Sequence, residues 1–403
     1  MKKFDPATNL YDAKVTTEHN GVNPSITDSA TYFFESGEEM TDCFHGENNN
    51  FLYSRHWNPS NLALSKALAA MEGTESAWVT GSGMAAITTT ILHLVNSGDH
   101  IVSSMTTYGG TFAFLKNWLQ KINVEVSFVD ITNVNEVEKA IRPNTKLIYT
   151  ETMTNPLLQI SDVPALSEIT HKNKIKLVVD NTFTPMIFSP YQLGADIVVY
   201  SMTKFINGKN DTTAGAICGS AELINSMIDL NDGTAMLLGP VLDPMRSSSI
   251  LKNLYTLHIR MKQHSKNAAY LAEKLTDYGM KINYPGLASH PGHEIMKNTM
   301  NEEYGFGGML AFDLGNSENA SKFMKAFQEK GGGYLAVSLG YFKTLFSNSG
   351  KSTSSEVPED IQQKMGLTEG LIRFSVGLDN DIDKLLNIFI ESLKAANILT
   401  KTK

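Results

Sequence analysis

The sequence predicts an α/β sandwich for the centre of this 403-residue chain. Two observations carry that expectation. Short, unbroken Val/Ile/Leu runs recur between His100 and Tyr200, and segments with helical spacing alternate with them. Strands that are apolar at every position, rather than at every second one, belong to a sheet covered by helices on both faces.

The first sixty residues are polar and aromatic with little periodicity, and Glu47-Asn48-Asn49-Asn50 reads as a loop. An arm of this kind needs something else to pack on. Helical spacing then runs through Leu62 to Met71 and Met84 to Val95. A strand is expected at His100 to Met105, a helix at Thr111 to Ile122, and strands at Val124 to Val129 and Lys146 to Tyr149. Two further strands are expected at Lys176 to Val179 and Ile197 to Tyr200. Gly239, Pro240 and Pro244 interrupt the pattern, and one long helix is expected from Ser247 to Leu275. Tyr284-Pro285-Gly286 marks a turn, followed by a strand at Gly308 to Asp313 and a helix at Ala320 to Phe327. These shifts divide the chain into an arm over 1–60, a large domain over 61–250 and a smaller α/β domain over 251–403.

Composition narrows the functional classes. With 42% apolar and 19% charged residues the chain is neither disordered nor fibrous. A formal charge of -8 without any long basic run argues against a nucleic-acid surface. The opening Met1 to Pro6 lacks the apolar core of a signal peptide, and no apolar run approaches the length of a membrane span. A soluble cytoplasmic protein without membrane association is therefore expected. Cys43 and Cys218 are far apart and lack metal-ligand spacing, so neither a disulfide framework nor a metal site is expected.

The chemistry concentrates at the strand ends. Ser201-Met202-Thr203-Lys204-Phe205 follows one apolar strand, 24 positions after Asp180, which ends another in Leu177-Val178-Val179-Asp180-Asn181. A lysine amine desolvated beside a buried strand can condense with an aldehyde, hydroxyls before it can hold phosphate, and a carboxylate can keep a pyridine nitrogen protonated. That set suits pyridoxal phosphate. Thr80-Gly81-Ser82-Gly83-Met84-Ala85-Ala86 joins a strand to a helix whose first amides point at an anion. The same stretch fits a dinucleotide fingerprint, but the acid Asp99 precedes the next strand instead of ending it, which argues against a nicotinamide oxidoreductase.

Tyr53-Ser54-Arg55 offers a phenol and a cation suited to phosphate, and Tyr108 stands in a strand-to-helix turn where a ring can stack and a hydroxyl can move protons. Asn155 lies past a strand end, the edge at which α/β sheets bind ligands. Arg373 sits within the apolar Leu371-Ile372-Arg373-Phe374 and needs a compensating anion, either a substrate carboxylate or a structural acid.

The order of these motifs resembles that of the PLP-dependent cysteine and methionine metabolism family. Tyr-Ser-Arg-x-x-Asn-Pro at 53–59, Ser-Gly-Met-Ala-Ala-Ile at 82–87, Thr-Tyr-Gly-Gly-Thr at 107–111, Val-Val-Asp-Asn-Thr-Phe at 178–183, Ser-x-Thr-Lys-Phe at 201–205 and Leu-Ile-Arg-Phe-Ser-Val-Gly at 371–377 carry it. Within that family the chain looks most like plant-type methionine γ-lyases, through Tyr53 to Pro59, Met236 to Pro240, Glu303 to Met309 and Ser338 to Phe342. The resemblance implies an aspartate aminotransferase-type (fold type I) PLP enzyme, with a mixed, mostly parallel sheet flanked by helices. It implies that Lys204 carries the cofactor and moves protons, that Asp180 pairs with the pyridinium, and that Tyr108 stacks on the ring and protonates the leaving group. Amides of Gly83 and Met84 with the hydroxyls of Ser201 and Thr203 would hold the phosphate, Tyr53 and Arg55 would complete that site in a neighbouring subunit, and Asn155 would also stand beside the cofactor. Arg373, Asn155 and Ser338, with Tyr53 from the neighbour, would hold the substrate. The active unit would be a dimer, paired into a homotetramer.

The implied reaction is γ-elimination of L-methionine, with O-acetylhomoserine sulfhydrylase, cystathionine γ-lyase and γ-synthase activities as alternatives. Gly110 stands where many bacterial methionine γ-lyases have cysteine. Lys343 stands where cystathionine-using relatives have a glutamate, and a cation there is expected to repel the distal ammonium of cystathionine. The segment 347–352 replaces the family's usual His-Pro-Ala-Ser.

Overall fold

The apolar runs of the first half pair into a seven-stranded sheet. Its strands are β1 (Ser76–Thr80), β2 (His100–Ser104), β3 (Glu125–Val129), β4 (Thr145–Glu151), β5 (Lys176–Asp180), β6 (Ile197–Ser201) and β7 (Gly215–Gly219), in the order β1-β7-β6-β5-β4-β2-β3. All are parallel except β7, which runs antiparallel to both of its neighbours. The structure is a computed structural model and describes residues 4–15, 17–349, 362 and 366–398.

Helices cover both faces, and β6 shows why its run is unbroken. Val198 and Tyr200 join one core with Leu64 and Leu68 of the helix Pro59–Glu72. Ile197 and Val199 join another with Ile87 and Ile91 of the helix Gly83–Leu94. Successive side chains of a strand point to opposite faces, so each face must be apolar when each is covered.

A second sheet follows: β8 (Ile282–Asn283), β9 (Met309–Asp313), β10 (Tyr334–Leu335), β11 (Leu345–Asn348) and β12 (Leu371–Ser375), in the order β10-β11-β12-β9-β8. Its core holds Phe312, Phe323, Phe327, Phe346, Phe374 and Phe389. Their rings meet mostly edge-to-face, as in Phe312–Phe389 and Phe327–Phe374, each with centroids 5.2 Å apart. That aromatic block holds Ile372 and Phe374 on one face of β12, so Arg373 is turned to the other.

Two helices differ from the spacing. The expected helix Thr111 to Ile122 is a short α-turn, Gly109–Ala113, followed by a π-turn over Phe114–Trp118 and a 3₁₀ turn over Leu119–Ile122. The expected long helix is two helices, Pro244–Leu254 and Leu257–Asp277. Between them the Asn253 carbonyl accepts the Thr256 amide at 3.3 Å, in a tighter i,i+3 turn, together with the Thr256 hydroxyl and the Arg260 guanidinium.

Candidate active site

Three strand ends build one wall. Glu151, Asp180 and Ser201 end β4, β5 and β6, and Glu151 lies in register with Asp180, as Asp180 does with Val199. They share a face with Tyr149, Val178 and Val199 respectively, by the period of two, and those three pack into the core beneath the helix Gly83–Leu94. Burial of Leu177, Val178 and Val179 stabilises β5 by about 1.5–3 kcal/mol each, enough to carry one costly carboxylate at its end.

That carboxylate is Asp180, 7% exposed. Its Oδ1 accepts the Thr182 amide at 2.9 Å, and the Tyr149 hydroxyl reaches Oδ2 at 3.5 Å. Burial raises its pKa against those hydrogen bonds, and no cation is among the groups acting on it within the described residues. A buried carboxylate without a cation calls for one from a ligand.

Lys204 follows β6 and faces the same cavity, of about 220 Å³, as Asp180, Tyr108 and Arg373. Burial, assisted by the Arg373 charge, lowers its amine from 10.5 to about 8. Its Nζ donates to Ser338 Oγ at 3.2 Å, and that hydroxyl donates to Asn210 Oδ1 at 2.9 Å. The backbone after Lys204 is clamped by Arg260, whose guanidinium donates to the carbonyls of Phe205 and Ile206.

The same cavity holds an anion cradle. Ser82 caps the helix Gly83–Leu94 by accepting the Ala85 amide at 3.0 Å, and Ser82, Gly83, Met84, Ser201 and Thr203 all line the cavity. Gly83 approaches β6 so closely that a Cβ there would lie 2.6 Å from the Ser201 Cβ and 2.9 Å from its Cα. The helix start and the Ser201 hydroxyl can share one phosphate only because position 83 has no side chain.

The remaining residues close the cavity from the side. Tyr108 is 44% exposed and precedes the turn Gly109–Ala113. Its ring leans over Gly110, where a Cβ would lie 2.7 Å from a ring carbon. Arg373, 3% exposed, donates from Nη1 to Asn155 Oδ1 at 3.1 Å and from Nη2 to the Ser338 carbonyl at 3.4 Å. No carboxylate bonds it within the described residues, which leaves part of its fork for an anionic ligand.

Not every predicted residue enters this cavity. Tyr53 and Arg55 are exposed, pack on each other with the guanidinium carbon 5.4 Å from the ring centroid, and do not line it. The Lys343 ammonium lies 4.6 Å from the centroid of the Tyr334 ring and is likewise outside the lining. Of the segment 347–352, Ser347 and Asn348 belong to β11, and 350–352 lie outside the described residues. Sequence reasoning passed over Glu151, Thr182 and Arg260. Glu151 is an acid at the end of an expected strand, a signal that without a neighbouring lysine and hydroxyls did not single it out; Arg260 sits in a helical stretch that gave none.

The chain matches the family described as Cys/Met metabolism PLP-dependent enzyme over residues 8–394. It belongs to that family. The methionine gamma-lyase of Arabidopsis thaliana is 45% identical over 89% of this chain and 83% of that protein. An L-methionine gamma-lyase of Fusobacterium nucleatum subsp. polymorphum is 40% identical over 90% and 91%. A Campylobacter jejuni crystal structure carrying N'-pyridoxyl-lysine-5'-monophosphate superposes with a TM-score of 0.90 at 28% identity, covering 97% of this chain and all of that one. The fold is that of the fold type I PLP enzymes, and pyridoxal phosphate is the family's cofactor. The residues present fit it: a depressed lysine amine, a buried acid without a cation and a glycine-lined anion cradle open into one cavity.

Proposed function

We propose that this chain catalyses the γ-elimination of L-methionine, consuming water and releasing methanethiol, 2-oxobutanoate and ammonia. The observation that carries the choice of substrate is the lining of the cavity. Beyond the polar groups that serve the cofactor and the α-carboxylate, it presents Met84, Ile87, Met153, Phe183, Val337 and Leu339. Among the described residues its only acids are Asp180 and Glu151, at the C-terminal ends of the central strands β5 and β4. An apolar thioether tail suits such a wall; the distal ammonium of cystathionine finds no carboxylate there. The high identity to proteins named methionine gamma-lyase supports the same reading.

When bound, pyridoxal phosphate supplies a ring that withdraws electrons from the substrate α-carbon. The chain's own residues do the rest. The Lys204 amine, brought near neutrality by burial, accepts the α-proton and carries protons at the β-carbon. Asp180 would pair with the protonated ring nitrogen. Gly83, Met84, Ser201 and Thr203 hold the phosphate. Arg373, with Asn155 and the Ser338 carbonyl, fixes the substrate carboxylate, and the Tyr108 hydroxyl delivers a proton to the departing thiolate.

Tyr53 and Arg55 serve the phosphate of a second copy in this reading, because they stand exposed and away from their own cavity. Residues 1–60 then form an arm laid on that copy, 61–250 the cofactor domain and 251–403 the smaller domain, in a cytoplasmic homotetramer built from two dimers. No helix among the described residues is long and apolar enough to cross a membrane. The test is a pair of incubations, one with L-methionine and one with O-acetylhomoserine plus sulfide. Release of 2-oxobutanoate from methionine is expected to dominate, and a larger yield of homocysteine in the second would assign a γ-replacement enzyme instead.

A further inference from the structure

One buried acid ties the two sides of the cavity together. Glu151, 5% exposed at the end of β4, accepts with Oε1 from the Thr107 hydroxyl at 2.8 Å and the Tyr108 amide at 2.7 Å. Its Oε2 accepts from the Asn155 amide at 2.7 Å. The first two donors hold the turn that presents the Tyr108 ring. The third holds the residue whose side-chain oxygen receives the Arg373 guanidinium at 3.1 Å. The distance between ring and guanidinium is thus set through one rigid carboxylate on a sheet strand, whereas each of its clients sits on a loop.

We propose that Glu151 is a positioning residue that holds Tyr108 and the Asn155–Arg373 pair in mutual register, Oε1 governing the cofactor side and Oε2 the substrate-carboxylate side. This rests on the reading that Tyr108 serves the ring and Arg373 the carboxylate. Asp180 and Glu151 lie in register as neighbouring acids, and burial together with Asp180 raises the Glu151 pKa. A carboxylate placed beside another one is costly, and three donors aimed at it offset that cost.

The two oxygens can be tested separately. In Glu151→Gln the orientation that keeps most bonds leaves the amide oxygen on Thr107 and Tyr108 and turns its NH₂ toward the Asn155 amide, donor against donor. Thr107→Val removes one donor from Oε1 and leaves Oε2 intact. Two titrations read the outcome: pyridoxal phosphate into the apoenzyme, followed by fluorescence, and L-norleucine into the holoenzyme, followed by the cofactor's visible absorbance. Norleucine carries the carboxylate and an apolar tail but no thiolate to expel, so neither titration depends on turnover or on methionine being the substrate. For Glu151→Gln the norleucine Kd is expected to rise roughly tenfold with the cofactor Kd changed less than about threefold. For Thr107→Val the larger change is expected in the cofactor Kd. Equal changes in both constants in both variants, or both constants within twofold of wild type, would overturn the proposal. Glu151→Ala should weaken both, and a thermal midpoint lowered with neither constant altered would mark the acid as merely structural.

Discussion

Glu72, the last residue of the helix Pro59–Glu72, gave no sign in the sequence of being anything but a solvated helix-end acid. The structure buries it: Oε2 accepts the Tyr200 hydroxyl, Oε1 accepts the Tyr191 amide at 3.1 Å, and the Tyr200 oxygen also receives the Asn181 side-chain amide at 3.0 Å. Burial pushes its carboxyl up to about 8, against the hydrogen bonds that lower it. The sign follows from proton binding. Between the unfolded value of 4.5 and the folded value of about 8 the native chain holds a proton that the unfolded chain has released. This contribution to stability is therefore complete below 4.5 and is lost as pH rises through about 8. In Glu72→Gln, which is neutral throughout, the thermal midpoint should fall less between pH 6 and 8 than in wild type. Parallel curves for the two proteins would refute the burial argument. Lys204 and Asp180 were legible where Glu72 and Glu151 were not, because two hydroxyls, a lysine and an acid at successive strand ends form a pattern, whereas a single acid does not reveal which loop will fold over it.

At the level of elements, the strands β4, β5 and β6 could be read closely because helices on both faces demand apolar side chains along the buried run. Other elements depended on contacts distant in sequence. Next to the break at Tyr255-Thr256, Arg260 reaches the carbonyls of Asn253, Phe205 and Ile206, and so also holds the backbone after Lys204. The junction of the helix Gly83–Leu94 with β6 yields a prediction. Gly83→Ala would place a methyl 2.6 Å from the Ser201 Cβ and against its backbone, where neither element can give way cheaply. Overpacking of this kind costs about 1–3 kcal/mol. The apoenzyme should lose thermal stability, and its affinity for pyridoxal phosphate should fall roughly tenfold or more, since the first amides of the helix are pushed away from the Ser201 hydroxyl. An unchanged cofactor affinity would separate the helix start from the phosphate.

For the whole molecule, the first sixty residues stand apart from the cavity. Tyr11 and Phe33 are each 89% exposed, and Arg55 stands outside the cavity that gathers Lys204, Asp180 and Arg373. If Arg55 completes the phosphate site of a second copy, Arg55→Ala and Lys204→Ala should each be severely impaired alone. Co-refolded in equal amounts, they should recover roughly a quarter of wild-type turnover, because half the dimers are mixed and each mixed dimer holds one intact site. Absence of recovery in verified mixed dimers would place Arg55 outside the shared site. The sequence by itself determined the buried strands β2, β4, β5 and β6, though not β7, with the lysine and acid at the ends of two of them and the family, because these depend on local hydrophobic pattern and on short motifs of fixed chemistry. Tertiary structure alone decided which acids are buried, where the long helix breaks and that one carboxylate links the two sides of the cavity, because those outcomes arise from contacts between segments remote along the chain.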